Sequence, residues 1–177
     1  MTTLETLLND PDAVGAWTVA PDHSAVRFTI KNMWGLFAVK GKFTEFSGRG
    51  ELSDDGAVSG HLEIDVASLR TGVGPRDKHL LSADFFDADR CPEIRVVVTA
   101  LHPLKGRHAE LRANFTIKSI TDPVPMRVAV TDFEDGSVRI SGEAEIDRTQ
   151  FGLGWNKLGI IAATATASAE LVFVKAS

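Results

Sequence analysis

The sequence predicts an all-β protein folded as a closed antiparallel barrel or a sandwich. Apolar and polar residues alternate along most of the chain after Trp17, and this is the period of a strand with one buried face. Turn signals such as Asp54-Asp55-Gly56 and Lys105-Gly106 separate the alternating segments. About eight such segments follow one another without a repeat or a linker, and closing them into a barrel would remove exposed edge strands.

Length and composition exclude several classes of protein. A chain of 177 residues is expected to form one domain, and we divide it into an N-terminal helical segment, residues 1–16, and a barrel domain, residues 17–177. The net charge of −5 argues against a nucleic-acid partner, which needs a basic surface. No apolar run approaches the roughly 20 residues that span a bilayer. Cys91 is the only cysteine, so the chain forms no internal disulfide.

The first residues predict a short amphipathic helix. Thr2 starts a Thr-x-x-Glu capping box, and Leu4, Leu7 and Leu8 then share one face, so the helix is expected to end near Pro11. It would cover part of the barrel surface or mediate a homodimer, and the alternative is a tail that becomes ordered only on demand. The segment lacks the basic residues and the apolar core of a signal peptide, which favours a cytoplasmic location.

The strands follow in order, each with alternating inward and outward residues. In the first, Val26, Phe28 and Ile30 face one way, and Arg27 and Thr29 face the other. The second is expected to continue through a bend or bulge at residues 47–50. The predicted strands cover residues 24–32, 37–50, 61–66, 91–98, 111–118, 124–130, 138–146 and 161–174.

A charged helical insert from Arg76 to Phe86 interrupts the strands. Arg76, His79 and Leu80 have the i, i+3, i+4 spacing of one helix face. A single charged helix in an all-β chain indicates a special feature at one end of the barrel. The alternative is a surface helix that plugs an open end, with Leu80, Phe85 and Phe86 as its apolar anchor.

Small residues suggest a cavity. Alanines occupy every second position of the last strand, and a barrel of about eight strands is just wide enough to be filled or to hold one small ligand. The alternative is a solid core, in which large neighbours fill the gaps. The face that the last-strand alanines line, whichever it is, is short of side-chain volume; these alanines are Ala163, Ala165, Ala167 and Ala169. Further small residues at inward positions are Gly41, Ala113, Gly142 and Ala144, and the large neighbours are Phe28, Phe43, Phe115 and Trp155.

No catalytic constellation is evident, so we expect binding rather than catalysis, with no metal and no cofactor. The five histidines lack metal-ligand spacing. Asp77 and Asp84 could pair as carboxylates, but acids beside Arg76 and Lys78 are usually solvated ion pairs. Two alternatives remain: an isomerase or hydrolase that uses His79 with Asp77 on a small apolar substrate, and a structural domain with a solid barrel.

An ordered set of motifs resembles the YceI-like family of polyisoprenoid-binding or lipid-binding proteins. The resemblance covers residues 17–174, and the insert Arg76 to Phe86 followed by Pro92 is its most specific part. The remaining motifs are Asp22-His23-Ser24, Gly41-Lys42-Phe43, Asp65-Val66-Ala67-Ser68-Leu69-Arg70-Thr71-Gly72, Phe115-Thr116-Ile117 and Asp147-Arg148-Thr149-Gln150-Phe151-Gly152. One departure is the turn at residues 118–123, where the family often carries a glycine, and this puts the local turn geometry in doubt.

The resemblance implies an extended eight-stranded antiparallel, lipocalin-like barrel around an apolar tunnel. The tunnel would hold a long isoprenoid tail, from a polyprenyl compound or an isoprenoid quinone, with the polar head near the mouth. The protein would then act as a carrier, a store or a sequestering protein, and the bound lipid would be its ligand rather than a cofactor.

The same resemblance assigns candidate site residues. The tunnel lining would consist of Phe28, Ile30, Phe43, Leu62, Val66, Phe85, Phe86, Phe115, Ala165 and Ala167. The mouth would carry His23, Arg76, Asp77, His79 and Arg148. The alternatives are that the lining residues are ordinary core, and that Arg76, Asp77 and Arg148 form an ion-pair network that fixes the loop.

Overall fold

The computed structural model describes residues 3–32, 37–154 and 161–176. These residues form two α-helices and eleven strands, joined by short 3-10 turns and loops. The elements are α1 (Leu4–Leu8), β1 (Gly15–Val19), β2 (Ala25–Asn32), β3 (Phe37–Phe43), β4 (Phe46–Leu52), β5 (Val58–Asp65), β6 (Leu69–Arg70), α2 (Gly74–Leu81), β7 (Glu93–Pro103), β8 (His108–Ile117), β9 (Ile120–Asp132), β10 (Val138–Asp147) and β11 (Ile161–Lys175).

The strands close into an antiparallel barrel. The sheet order β1-β4-β5-β7-β8-β9-β10-β11 returns to its start, because β11 also pairs with β1. The strand β2 continues β1 along β11 after a 3-10 turn at Pro21–His23, and β3 and β4 are likewise two parts of one strand. The eleven strands therefore occupy eight positions around the barrel. This confirms the eight-stranded barrel and excludes the sandwich.

Alternation places the expected side chains inside. Val26, Phe28 and Ile30 are buried on β2, and the predicted inward positions of the other strands follow the same rule. Phe37, the first residue of β3, is an exception to the burial of large apolar side chains on the strands, since 62% of its surface is exposed. It lies opposite Asn32, the last residue of β2.

One of the hairpin turns contains no glycine. Gly56, Gly106 and Gly136 take positive φ at the predicted turns. Between β8 and β9, both central residues have positive φ, 53° at Lys118 and 66° at Ser119, which is the pattern of a type I′ turn. The Lys118 ammonium donates to the carbonyl oxygens of Ala83 (3.1 Å) and Gly152 (3.0 Å), and these bonds hold the turn against the two neighbouring loops.

The N-terminal helix closes one end of the barrel instead of covering its outer surface. Leu4 is 1% exposed and packs with Val128, Val130 and Val138, which lie near one end of β9 and β10. The cap is Thr3, whose side chain accepts from the Thr6 amide, and not Thr2, which lies outside the described residues. We call this end of the barrel the N-terminal end.

The helical insert closes the opposite end, which we call the insert end. Helix α2 starts at Gly74, two residues before the predicted start, and stops at Leu81; turns follow to Phe86. Leu80, Phe85 and Phe86 are all buried in the same apolar cluster as the barrel strands. The insert is therefore a plug held by apolar side chains, in agreement with the alternative that we drew from the sequence.

Candidate functional site

An apolar cavity of about 280 Å³ lies inside the barrel. Its wall includes Leu4 at the N-terminal end and Phe86 at the insert end. On β8 it includes both Leu111 and Ile117, six residues apart. Six strand residues span about 20 Å, or roughly 15 Å along the axis of a barrel with tilted strands. The cavity is thus long and narrow, and its lining side chains are mostly aliphatic or aromatic.

Eight of the ten residues that the sequence suggested as tunnel lining lie on this wall. They are Phe28, Ile30, Phe43, Leu62, Phe86, Phe115, Ala165 and Ala167. Val66 and Phe85 are buried in the surrounding core but do not form part of the wall. Val66 sits in the 3-10 turn that follows β5, and the Phe85 ring packs edge-to-face on His79, with centroids 5.3 Å apart.

Three aromatic rings line the cavity where the insert meets the barrel. Phe86 packs against Phe28 and Phe43 with centroid distances of 6.3 and 6.0 Å, and these two rings are 5.7 Å apart. Such tilted and edge-to-face contacts are the favoured geometry of aromatic pairs. Because Phe86 belongs to the insert and the other two rings belong to the barrel, movement of the insert would change the length of the cavity.

The small inward residues divide into two groups. Ala165, Ala167 and Ala169 line the cavity and leave it open. Gly41 instead makes room for Phe28, its cross-strand partner, since a Cβ at Gly41 would lie 2.3 Å from that ring. Gly142 lies on the wall, but a Cβ there would meet the Val128 side chain at 2.8 Å. The barrel therefore combines a tightly packed part with an open part along β11.

The N-terminal helix contributes to the wall, which sequence reasoning missed. Leu4, Leu7 and Leu8 all line the cavity. Their common apolar face was visible in the sequence, but helical periodicity does not say which surface such a face covers. Trp17 on β1, whose indole N–H donates to the Ala13 carbonyl at 2.9 Å, also lines the cavity and packs in the same cluster as this helix.

Arg148 is a buried cation on the cavity wall. It is 2% exposed, and its guanidinium donates to the carbonyl oxygens of Ala162 (Nε, 2.7 Å) and Leu153. No carboxylate of the described residues lies within 4.0 Å of it. Burial lowers the pKa of the guanidinium, and the nearby charge of Asp147 opposes this effect. An arginine nonetheless stays protonated in proteins.

A local turn directs Arg148 inward. The Asp147 carboxylate accepts hydrogen bonds from the Thr149 hydroxyl (2.6 Å) and the Thr149 amide (3.0 Å), which starts a 3-10 turn at Arg148–Phe151. Both bonds lower the pKa of Asp147, and the bond from the hydroxyl has the larger effect. Gly152 ends the turn with φ of 71°, a conformation that suits glycine. Residues 147–152 therefore form a hydrogen-bonded turn at the insert end.

The other suggested mouth residues do not gather around Arg148. The Arg76 Nε and the Asp77 carboxylate both bond to the Thr71 hydroxyl, and so they fix the start of the insert through Thr71 and not through an ion pair with each other. No ion pair among the described residues joins either of them to Arg148. The alternative of a three-residue ionic network is therefore wrong.

The two suggested histidines lie apart from the cavity wall. His79 is bonded to Asp84 at 3.0 Å, and Asp77 is engaged by Thr71, so His79 and Asp77 do not form the pair that the enzyme alternative requires. His23 is exposed between β1 and β2. It is near Asp135, in the turn between β9 and β10, whose pKa is lowered mainly by hydrogen bonds from Ser137 and to a small extent by His23. That turn lies at the N-terminal end, far from the insert.

Neither a metal cluster nor a membrane-spanning helix is found in the part of the chain that the structure describes. No group of three His, Cys, Asp or Glu side chains there could hold a metal ion. Among the same residues, no helix has the length and apolar character needed to cross a bilayer.

Comparison with known proteins identifies relatives by sequence. The profile of the YceI-like domain matches residues 17–173. A UPF0312 protein of Pseudomonas putida (strain W619) is 29% identical over 107 residues, which cover 59% of this chain and 55% of that protein. This match thus spans little more than half of the relative. A UPF0312 protein of Shewanella denitrificans is 25% identical over 173 residues, covering 92% of this chain and 88% of that protein.

Solved structures share the barrel. BcnA of Burkholderia cenocepacia is 26% identical with a TM-score of 0.80, covering 87% of this chain and 98% of that one. A domain of Saccharophagus degradans, described as polyisoprenoid binding, is 14% identical with a TM-score of 0.76, over 92% and 99% of the two chains. The YCEI protein of Campylobacter jejuni is 20% identical with a TM-score of 0.68, over 78% and 86%. At these two lower identities the likeness concerns the fold alone.

Proposed function

Because the chain belongs to the YceI-like family, we propose that its barrel binds a long apolar isoprenoid-type molecule, a polyprenyl compound or an isoprenoid quinone. The protein would carry, store or sequester that molecule without a chemical step. The observation that carries the proposal is the long apolar cavity with an alanine-lined wall. The description of the Saccharophagus neighbour as a polyisoprenoid binding domain supports the same ligand class.

The energetics of such binding are favourable. Each methylene group removed from water contributes about 0.8 kcal/mol. Several isoprene units therefore offset ordering costs of several kcal/mol and reach sub-micromolar affinity. Polar contacts would set the orientation of the molecule more than its affinity. We place its head at the insert end, beside Arg148, and its tail toward Leu4.

The size of the cavity adds a condition. Its volume of about 280 Å³ is slightly below the range of roughly 300–1,000 Å³ typical of ligand pockets. A long chain therefore needs additional room, and one of the two plugs must shift to provide it. Phe86 and helix α1 are parts of the wall that lie on the two plugs and outside the barrel strands, so we propose them as the gates.

The enzyme alternative has no comparable support. It requires a polar pair that faces a substrate, whereas Asp77 is hydrogen-bonded to Thr71 and His79 to Asp84. Both bonds lie within the insert and its flanks and explain why these polar residues occur there. We therefore propose a binding function.

A chain-length series tests the proposal. Isoprenoid alcohols of increasing length would compete with an apolar fluorescent probe for the purified protein. We expect affinity to rise about fourfold per methylene equivalent while the chain extends into the cavity, and then to reach a plateau. Adsorption to an outer surface would give no plateau. Failure of every alcohol to displace the probe, or a series without a plateau, would contradict binding in the cavity.

A further inference from the structure

Arg148 combines three properties that rarely occur together. It is charged, it is buried to 98% of its surface, and it faces an apolar cavity. Buried cations are normally paired with an anion, because removing a charge from water costs far more than removing a neutral group. Here two neutral carbonyl groups, of Ala162 and Leu153, accept from the guanidinium, and no carboxylate of the described residues is within ion-pair distance.

The hydrogen-bonding capacity of Arg148 is also incompletely used. A guanidinium has five N–H donors, and the two carbonyl bonds engage its Nε and one terminal nitrogen. The Asp147 carboxylate cannot serve as the missing anion, because it is turned toward Thr149 and caps the 3-10 turn. An acceptor that entered the cavity would therefore meet free donors and an uncompensated positive charge.

We infer that the ligand of the cavity is an apolar chain that ends in an anionic group, a carboxylate or a phosphate, bound by Arg148. This inference rests on the proposed function and specifies the head of the ligand. The anion would lie at the insert end beside Arg148, and the chain would run past Ala165 and Ala167 toward Leu4. Arginine suits either anion, since its planar fork can donate two parallel hydrogen bonds to two oxygens.

A purely structural role for Arg148 makes different predictions. In that role the guanidinium only ties the 148–154 loop to β11 through the Ala162 carbonyl, and it would not distinguish between a charged and a neutral ligand. Changing Arg148 would then affect stability and the binding of both ligand types equally. Paired ligands that differ only in the head group separate the two roles.

The experiment compares geranylgeranyl phosphate with geranylgeraniol, and palmitate with hexadecanol, by isothermal titration. We expect the wild-type protein to prefer the anion of at least one pair by about ten- to a hundredfold, as for a hydrogen bond to a charged group. The phosphate pair and the fatty-acid pair identify which anion is the ligand. Arg148→Met should abolish the preference while neutral chains still bind, and Arg148→Lys should retain part of it.

The control is Arg112→Met, which removes a cation whose side chain is 63% exposed on the outside of β8. It should leave the preference unchanged. Equal binding of the anion and the alcohol by the wild-type protein would overturn the anionic head and leave the lipid-binding function intact. Binding of neither member of either pair would contradict the proposed function itself. If Arg148→Met does not fold, the wild-type comparison and Arg148→Lys still decide the question.

A second inference rests on a separate feature, a row of like charges on the outer surface. Arg27, Lys42 and Arg70 are direct cross-strand neighbours on β2, β3 and β6, and all three are exposed. Like charges placed directly opposite each other destabilise a sheet. Lys31 and Lys40 extend the same face, and no ion pair of the described residues involves any of the five. The chain as a whole carries a net charge of −5, so this face is locally opposite in sign.

We propose that this basic face docks on an anionic lipid bilayer. Basic residues near such a surface are attracted to its negative potential, which compensates for their mutual repulsion. Phe37, at the end of the same β2–β3 hairpin, is 62% exposed and provides an apolar side chain for the interface. A protein that exchanges apolar molecules with a membrane would need such a contact. The docking proposal does not depend on that role, because it follows from the row of basic residues.

Co-sedimentation with vesicles tests the docking. We expect binding to vesicles of equal parts phosphatidylcholine and phosphatidylglycerol, weakened by salt, and no binding to pure phosphatidylcholine. Lys42→Glu should stabilise the fold, since it places an acid between Arg27 and Arg70, and yet reduce vesicle binding by about tenfold or more. Arg112→Glu is the control. It makes the same charge reversal at an exposed position of β8, away from the basic face, and should have a smaller effect.

Equal sedimentation of Lys42→Glu and wild type would overturn the docking surface. So would retention of the wild-type protein on an acidic polypeptide with no binding to charged vesicles, which would assign the face to an acidic protein partner. The stability measurement, by urea denaturation, shows that any loss of binding by Lys42→Glu does not come from unfolding.

Discussion

Ala167→Phe is the substitution that most sharply separates a ligand cavity from an ordinary core. Ala167 lies between Ala144 on β10 and Phe28 on β2 in the sheet register, and its methyl group faces the cavity. A phenyl ring at this position would project into the space that we assign to the ligand. It should block the cavity without disturbing the strand, because the backbone hydrogen bonds do not depend on the side chain.

The expected loss of affinity follows from the ligand atoms that the ring displaces. Six ring carbons occupy the place of about six ligand carbons, and each contributes about 0.8 kcal/mol when buried. The loss is therefore about 5 kcal/mol, or more than three orders of magnitude in Kd. The free energy of unfolding of the free protein should change by less than about 3 kcal/mol, the upper range for inserting a larger side chain into a core.

The assay is titration of a long-chain ligand into the variant, with thermal unfolding measured in parallel. Ala163→Phe is the matched control, since Ala163 belongs to the same strand but is exposed and lies outside the cavity wall. We expect Ala163→Phe to bind like the wild-type protein. Wild-type affinity in Ala167→Phe, with a folded barrel, would refute the assignment of this alanine face to the ligand.

Four further changes test other parts of the structure. Phe86→Ala should lower the free energy of unfolding by about 3–5 kcal/mol and speed ligand exchange in stopped-flow measurements, because it removes a gate ring. Leu4→Ala should cost about 2–5 kcal/mol in urea denaturation, since Leu4 is 1% exposed; a change below 1 kcal/mol would show that α1 does not close the barrel. Ser119→Gly should raise the free energy of unfolding by about 1 kcal/mol, because φ is 66° at Ser119 and glycine adopts this conformation without strain. An unchanged midpoint of urea denaturation would show that Ser119 is not strained. Because the pKa of Asp147 is lowered in the folded protein, its stabilising effect is present above the ordinary Asp pKa and is lost as pH falls through the folded-state pKa. Thr149→Val should reduce this loss of stability at acid pH, measured as the free energy of unfolding against pH. A pH profile identical to that of the wild-type protein would contradict the role of the Thr149 hydrogen bond.

Local patterns were sufficient for the strands and turns but not for the packing of the small residues. Strict alternation and the Asp-Gly turns predicted the β-elements because both are properties of neighbouring residues. Whether Gly41 creates space or receives a ring depends on its cross-strand partner. The register pairs Gly41 with Phe28, which fills the space, whereas Ala167 faces the cavity. A register is a long-range property that one sequence does not reveal.

For the candidate site, too, local patterns predicted some features and not others. The apolar lining could be predicted from alternation, and the motif at residues 147–152 from its resemblance to a known family. The burial of Arg148 could not, because charged residues are mostly exposed and nothing local marks an exception. Likewise, the apolar face of Leu4, Leu7 and Leu8 was evident, but its position inside one end of the barrel depends on tertiary packing.

The most direct test of the account is mass spectrometry of the purified protein, as a native spectrum and as an organic-solvent extract. We predict a bound apolar chain in stoichiometric amount, released by the solvent and absent from Ala167→Phe prepared in parallel. An empty wild-type protein that also takes up no added polyprenol, quinone or anionic chain would contradict the central claim that the barrel cavity is a lipid-binding site.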